Sequence, residues 1–156
     1  MSDVLLDKVL RPAPPLPLRA MGFILGGVAI INLAFALTFV LQGAWPVMPF
    51  MGLDVALLAI AFRAARKAAR REEHVVVTPG LLHIERRPPE GPPSEIALNP
   101  YWVRVHMDTP PEHGSQLTLW SHGRGVRIGA FLPPMERASF AEALKAALRD
   151  ARTARI

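Results

Sequence analysis

Residues 20–41 read AMGFILGGVAIINLAFALTFVL, and residues 42–62 continue QGAWPVMPFMGLDVALLAIAF. Asp54 is the one ionisable side chain in the whole run. As a helix, the first 22 residues rise about 1.5 Å each, roughly 33 Å in all, enough to cross a hydrocarbon core of about 30 Å. Gln42 to Pro46 forms a connection too short for a domain, with Trp45 suited to a membrane interface and Pro46 and Pro49 able to open the next helix. Val47 to Phe62 is 16 residues, short for a full crossing, but the helix can run on through Arg63–Arg71, whose long side chains snorkel outward. The expected core of the molecule is therefore an antiparallel transmembrane hairpin over residues 20–71.

Charge flanks this hairpin unevenly. Lys8, Arg11 and Arg19 precede it; Arg63, Arg66, Lys67, Arg70 and Arg71 follow it as a basic membrane-surface collar; the turn carries no basic residue. Basic flanks mark the cytoplasmic side, so both termini are expected in the cytoplasm. The proline-rich Arg11–Pro17 and the long apolar run do not fit a cleavable signal, so the first span is expected to persist in the mature protein.

The net charge of +5 invites a nucleic-acid reading that its distribution removes. From Glu72 to Ile156 ten Lys or Arg meet ten Asp or Glu, and the whole excess is juxtamembrane. Membrane lipids, not nucleic acid, are the expected contact. With no cysteine, disulfides, thiolate nucleophiles and cysteine metal sites are excluded.

Residues 1–19 read as an exposed cytoplasmic lead-in, because the prolines cannot propagate a helix. After the collar the periodicity changes to two. His74–Thr78 and Leu81–Arg87 form a hairpin about Pro79-Gly80, a pair suited to a type II turn. Ser94–Leu98 is a short strand, and Tyr101–Asp108 a longer one with Tyr101, Val103, Val105 and Met107 on one face. Gln116–His122 and Val126–Leu132 form a second hairpin about Gly123-Arg124-Gly125. A helix from Pro133 to about Arg152 places Phe140, Leu144 and Leu148 on one face, with Arg137, Lys145 and Arg149 elsewhere. Residues 72–156 are thus expected as a small antiparallel β domain with a C-terminal helix. Five or six strands and a capping helix follow the element order of pleckstrin-homology-like barrels, an analogy of fold that transfers no ligand.

Three segments carry a family resemblance: Gly43–Val55 (GAWPVMPFMGLDV), Asn99–Val105 (NPYWVRV) and Ser121–Leu132 (SHGRGVRIGAFL). They resemble a family of bacterial integral membrane proteins catalogued as domain of unknown function 2244. The resemblance implies a location in a bacterial inner membrane and no activity.

Asp54 is the most informative single residue, since a carboxylate near mid-membrane costs about 2.5–3.5 kcal/mol on insertion scales. Asn32 lies at similar depth on the facing helix, so an intramembrane polar pair is expected, read as a packing clamp ahead of a proton carrier. Gly22, Gly26, Ala29 and Ala36 make a small-residue face for helix packing, most simply within this hairpin. The five histidines show no i, i+4 pair, and Ser121-His122 lacks a nucleophile elbow. No catalytic residue, metal site or cofactor is expected. Trp102, Arg104, Trp120 and Arg127 are read either as a partner surface or, for the tryptophans, as core under the helix. These features point to a non-enzymatic accessory, assembly or scaffold component of a larger membrane complex, with other membrane proteins or further copies as partners. The rival is a lipid-sensing or solute-handling protein with an intramembrane polar site.

Overall fold

The computed structural model describes residues 4–154, apart from the side chain of Trp45, so the expectation that this ring anchors at an interface lies outside the described residues. The chain divides into two units, Pro14–Ala69 and a second made of Met1–Ala13 with Arg70–Ile156.

The first unit is a pair of long apolar helices, α1 (Leu18–Leu41) and α2 (Met48–Ala68), joined by a 3-10 turn at Trp45–Val47. α1 stops at Gly43, whose φ of 78° places it in the left-handed region open to glycine. Gly43 N donates to Val40 O at 3.0 Å and Ala44 N to Phe39 O at 2.9 Å, the paired bonds of a Schellman motif that close otherwise unpaired helix carbonyls. Pro49 falls in the first turn of α2, where a missing N–H is harmless. Large apolar side chains cover the outside of both helices: Phe23 is 82% exposed and Phe50 71%. A core helix of a water-soluble domain would hide them, whereas lipid accepts them.

Among the described residues the second unit holds seven strands and a helix: β1 (Leu6–Leu10), β2 (Glu72–Val77), β3 (Leu82–Arg87), β4 (Ser94–Leu98), β5 (Arg104–Met107), β6 (Leu117–Ser121), β7 (Arg124–Ile128) and α3 (Pro134–Thr153). They form an antiparallel sheet in the order β1-β2-β3-β4 and another in the order β5-β6-β7. Alternation sorts the faces. Val75, Val77, Leu82 and Ile84 point inward from the larger sheet, Leu117, Leu119 and Ile128 from the smaller, and Phe140, Leu144 and Leu148 of α3 join them in one core.

Four expectations are corrected. The segment 1–19 is not simply a lead-in: Leu6–Leu10 pairs with β2, Leu6 opposite Val77 and Leu10 opposite Glu73, and Leu10 is buried. The hairpin helices are thus an insertion between the first two strands of the β unit. The strand expected from Tyr101 begins only at Arg104, because Pro100–Trp102 forms a 3-10 turn capped by Asn99 Oδ1, which accepts from Tyr101 N at 3.0 Å. The second hairpin turns at His122-Gly123, with φ of 49° and 77°, the two positive values of a type I′ turn, so β7 starts at Arg124. The Pro79-Gly80 connection is not type II, as Gly80 lacks positive φ; Thr78 closes it, its N donating to Leu81 O at 2.8 Å.

Candidate functional site

Within the hairpin unit, α1 turns Met21, Leu25, Val28, Asn32 and Ala36 toward lower exposure, a spacing of three and four that follows one helix face. Asn32 is the polar member of that face. Its Nδ2 donates to Met51 O and to both carboxylate oxygens of Asp54, each at 2.8 Å. Asp54 Oδ1 also accepts from Val55 N at 2.8 Å. The sequence-expected pair is therefore brought together: two amide hydrogens supply three acceptors and stitch α1 to α2. Thr38 bonds back to Ala34 O at 2.9 Å, so its hydroxyl is satisfied inside its own helix.

Asp54 nevertheless remains exposed on the hairpin. The small-residue face divides: Ala36 is buried and Gly26 half-buried, whereas Gly22 and Ala29 are exposed, and a Cβ added at Gly22 or Gly26 meets nothing within 4 Å. The simplest expectation, packing of this face within the hairpin, is thus corrected for Gly22 and Ala29, because α2 lies against the face that carries Asn32. Of the collar, Arg63, Arg66 and Lys67 close α2, Arg66 and Lys67 in its last turn, where cations suit the negative end of the helix dipole. Arg70 and Arg71 lie beyond the helix, in the segment leading to β2.

In the β unit the tryptophans are not core. Trp102 is 56% exposed and Trp120 47%, since the 3-10 turn makes Val103 the residue that points inward. Trp120 pairs across the strands with Arg104 on one side and Gly125 on the other, the glycine leaving room for the indole. Arg127, opposite Thr118, shares this outer face, and the Trp102 ring lies 5.6 Å from that of His122. Trp102, Arg104, Trp120 and Arg127 therefore form an outward aromatic and basic surface.

Two buried charges were not foreseen. Arg137 of α3 is buried and donates to the carbonyls of Ser115, Gly129, Ala130 and Leu132, fixing the loop after β7. Its position three residues before Phe140 and seven before Leu144 put it on the apolar face all along. Glu73 of β2 accepts from Gly129 N at 2.8 Å and approaches Arg86 Nε at 3.3 Å, tying the larger sheet to the end of β7. Among the described residues no group of three or more His, Cys, Asp or Glu is placed to hold a metal ion.

Two long apolar helices with lipid-suited surfaces, closed by an internal polar pair, define an integral membrane protein with two candidate spans. The chain belongs to the DUF2244 family of integral membrane proteins, whose model matches residues 10–148. No curated protein and no solved structure matches it.

Proposed function

We propose that this protein is a non-enzymatic component of a larger assembly in the bacterial inner membrane, a scaffold or assembly factor that holds its β unit at the cytoplasmic surface. The observation that carries this reading is the exposed carboxylate of Asp54 in the middle of a span. Asn32 satisfies part of it, but lipid cannot solvate the remainder, and a neighbouring membrane protein can. As the carboxylate accepts three bonds, two from Asn32 Nδ2 and one from Val55 N, its geometry suits a packing clamp better than a proton relay.

Chain connectivity supports the topology. Leu10 and Glu73 are paired neighbours, so the segment between them must return to the side it left, which demands an even number of crossings. The basic flanks make that side the cytoplasm. Four plus three antiparallel strands with a C-terminal helix support a pleckstrin-homology-like arrangement for the β unit, with the spans inserted after its first strand.

The test is purification in mild detergent with a photo-crosslinking residue at Leu57, one turn from Asp54 and 56% exposed. The proposal expects crosslinks to a larger membrane protein that survive Asp54→Asn and vanish with Asp54→Leu. Crosslinks only to lipid, unchanged by either substitution, refute it. Reporter fusions after Arg71 and at Gly43 test the orientation, and a periplasmic signal at Arg71 overturns it.

A further inference from the structure

Strand β5 is an edge. It pairs with β6 on one side only, so the outward N–H and C=O groups of Arg104–Met107 have no strand beside them, and such an edge is a template for a further strand. Alongside it, between β5 and α3, runs a groove of about 350 Å³. Its apolar part comes from Val103, Val105 and Leu148. The remaining lining is basic: Arg104, Lys145, Arg149 and Arg152, against a single carboxylate, Glu142, which Lys145 already engages at 2.8 Å. Arg152 donates from one guanidinium nitrogen to Val103 O at 2.6 Å, while its Nε is buried with no partner. An unsatisfied buried donor is costly, the more so on a charged group.

The edges at β7 and β1 differ. At the far side of the smaller sheet, β7 is tied across to the larger one through the Arg86 bond to Arg127 O and the Glu73 bond to Gly129 N. The groove beside β1 is smaller in net charge, Lys8 and Arg11 being offset by Glu136, and Arg11 is itself paired with Glu72 at 2.9 Å. Among the described residues, and of β1, β5 and β7, it is β5 that combines an open backbone edge, an apolar floor and cations in excess of its one carboxylate.

We infer that the groove between β5 and α3 takes an extended acidic peptide segment of a partner protein, added as a strand to β5. Backbone bonds to Arg104–Met107 hold the segment. Residues on its inner side enter against Val105, and its carboxylates meet Arg104 on the outer side and Arg149 at the groove's mouth. This inference rests on the β unit alone and stands apart from the reading of Asp54.

The experiment uses the full chain in nanodiscs of phosphatidylcholine, which carries no net charge, and a fluorescein-labelled, end-blocked peptide of eight residues alternating glutamate and valine as an anisotropy probe. The expected result is saturable binding that weakens at least tenfold with Arg104→Glu combined with Arg149→Glu, both exposed positions. It should weaken similarly when alternate peptide amides are N-methylated, which leaves the charge and removes strand pairing. Absent binding, equal binding of the N-methylated peptide, or equal binding by the double variant each overturns the inference. Displacement of the probe by a short-chain phosphatidylglycerol that binds more tightly than the peptide assigns the groove to lipid headgroups and overturns it as well.

Discussion

Leu10 lies in a stretch that sequence alone reads as an exposed lead-in, yet it is 3% exposed and packs in the core of the β unit. Truncating it to alanine removes buried methyl groups and leaves a cavity between β1, β2 and α3. Leucine-to-alanine changes in such sites cost about 2–5 kcal/mol; with Phe140 and Leu132 able to relax only partly, about 3 kcal/mol is expected. Val9, its neighbour on the same strand, is 44% exposed, so Val9→Ala should change stability by less than about 0.5 kcal/mol. The assay is urea unfolding of a soluble form in which residues 14–69 are replaced by a short Gly-Ser linker, followed by the fluorescence of Trp102 and Trp120. With a urea slope of about 1.5 kcal/mol/M, Leu10→Ala lowers the midpoint by about 2 M. Equal midpoints for Leu10→Ala, Val9→Ala and the parent would show that β1 is not part of the sheet.

The same assay tests the loop after β7. Arg137→Met keeps the apolar stem but strips four carbonyls of their donor, a loss of about 3–5 kcal/mol; a change below about 1 kcal/mol would mean that water replaces the guanidinium. Gly129→Ala should cost about 1–2 kcal/mol, since the residue holds φ at 61° and its Cβ would sit 2.9 Å from Leu132 Cδ1, whereas Gly114→Ala, in open space, should be near neutral. In bicelles, Asp54→Leu should weaken association of α1 with α2 by about 0.6–1.7 kcal/mol, and Asp54→Asn by less; steric-trap unfolding measures both, and identical values for the two variants would remove the clamp. Hydrogen bonds from Arg87 and Lys145 hold the carboxyls of Glu85 and Glu142 below the usual carboxylate range. Their contribution is therefore present above the ordinary carboxylate pKa and fades as pH falls through the lowered one, so Glu85→Gln should flatten the acid side of the stability curve, and an unchanged slope would contradict the pairing.

The hairpin was legible because hydrocarbon imposes a strict rule on composition, and the facing depths of Asn32 and Asp54 follow from counting outward from a short turn. β1 was not legible because its partner lies beyond residues 11–71, and local pattern carries no trace of so distant a pairing. Tyr101 shares the face of Val103 and Val105 in the sequence pattern, but Asn99 caps a 3-10 turn over Pro100–Trp102 that takes Tyr101 off that face. His122-Gly123 was hidden by the more suggestive Gly123 and Gly125, although histidine can occupy the left-handed region when the turn type demands it. Arg137 was placed on the polar side by its charge, when its spacing to Phe140 and Leu144 already put it inside.

The insertion of both spans between β1 and β2 makes the β sheet a check on biogenesis. β1 emerges from the ribosome long before β2 and has no partner until α1 and α2 have been made. If only one helix crosses, residues 10 and 73 end on opposite sides of the bilayer, and the pairing of Leu10 with Glu73 cannot form. The larger sheet then lacks its first strand, and the outer backbone N–H and C=O groups of β2 stay unpaired. Once the hairpin has formed, it brings its own ends together, and the entropy of closing a flexible chain across residues 11–71 falls to that of two short connections. On the proposed topology, pairing of β1 with β2 therefore requires that both spans insert.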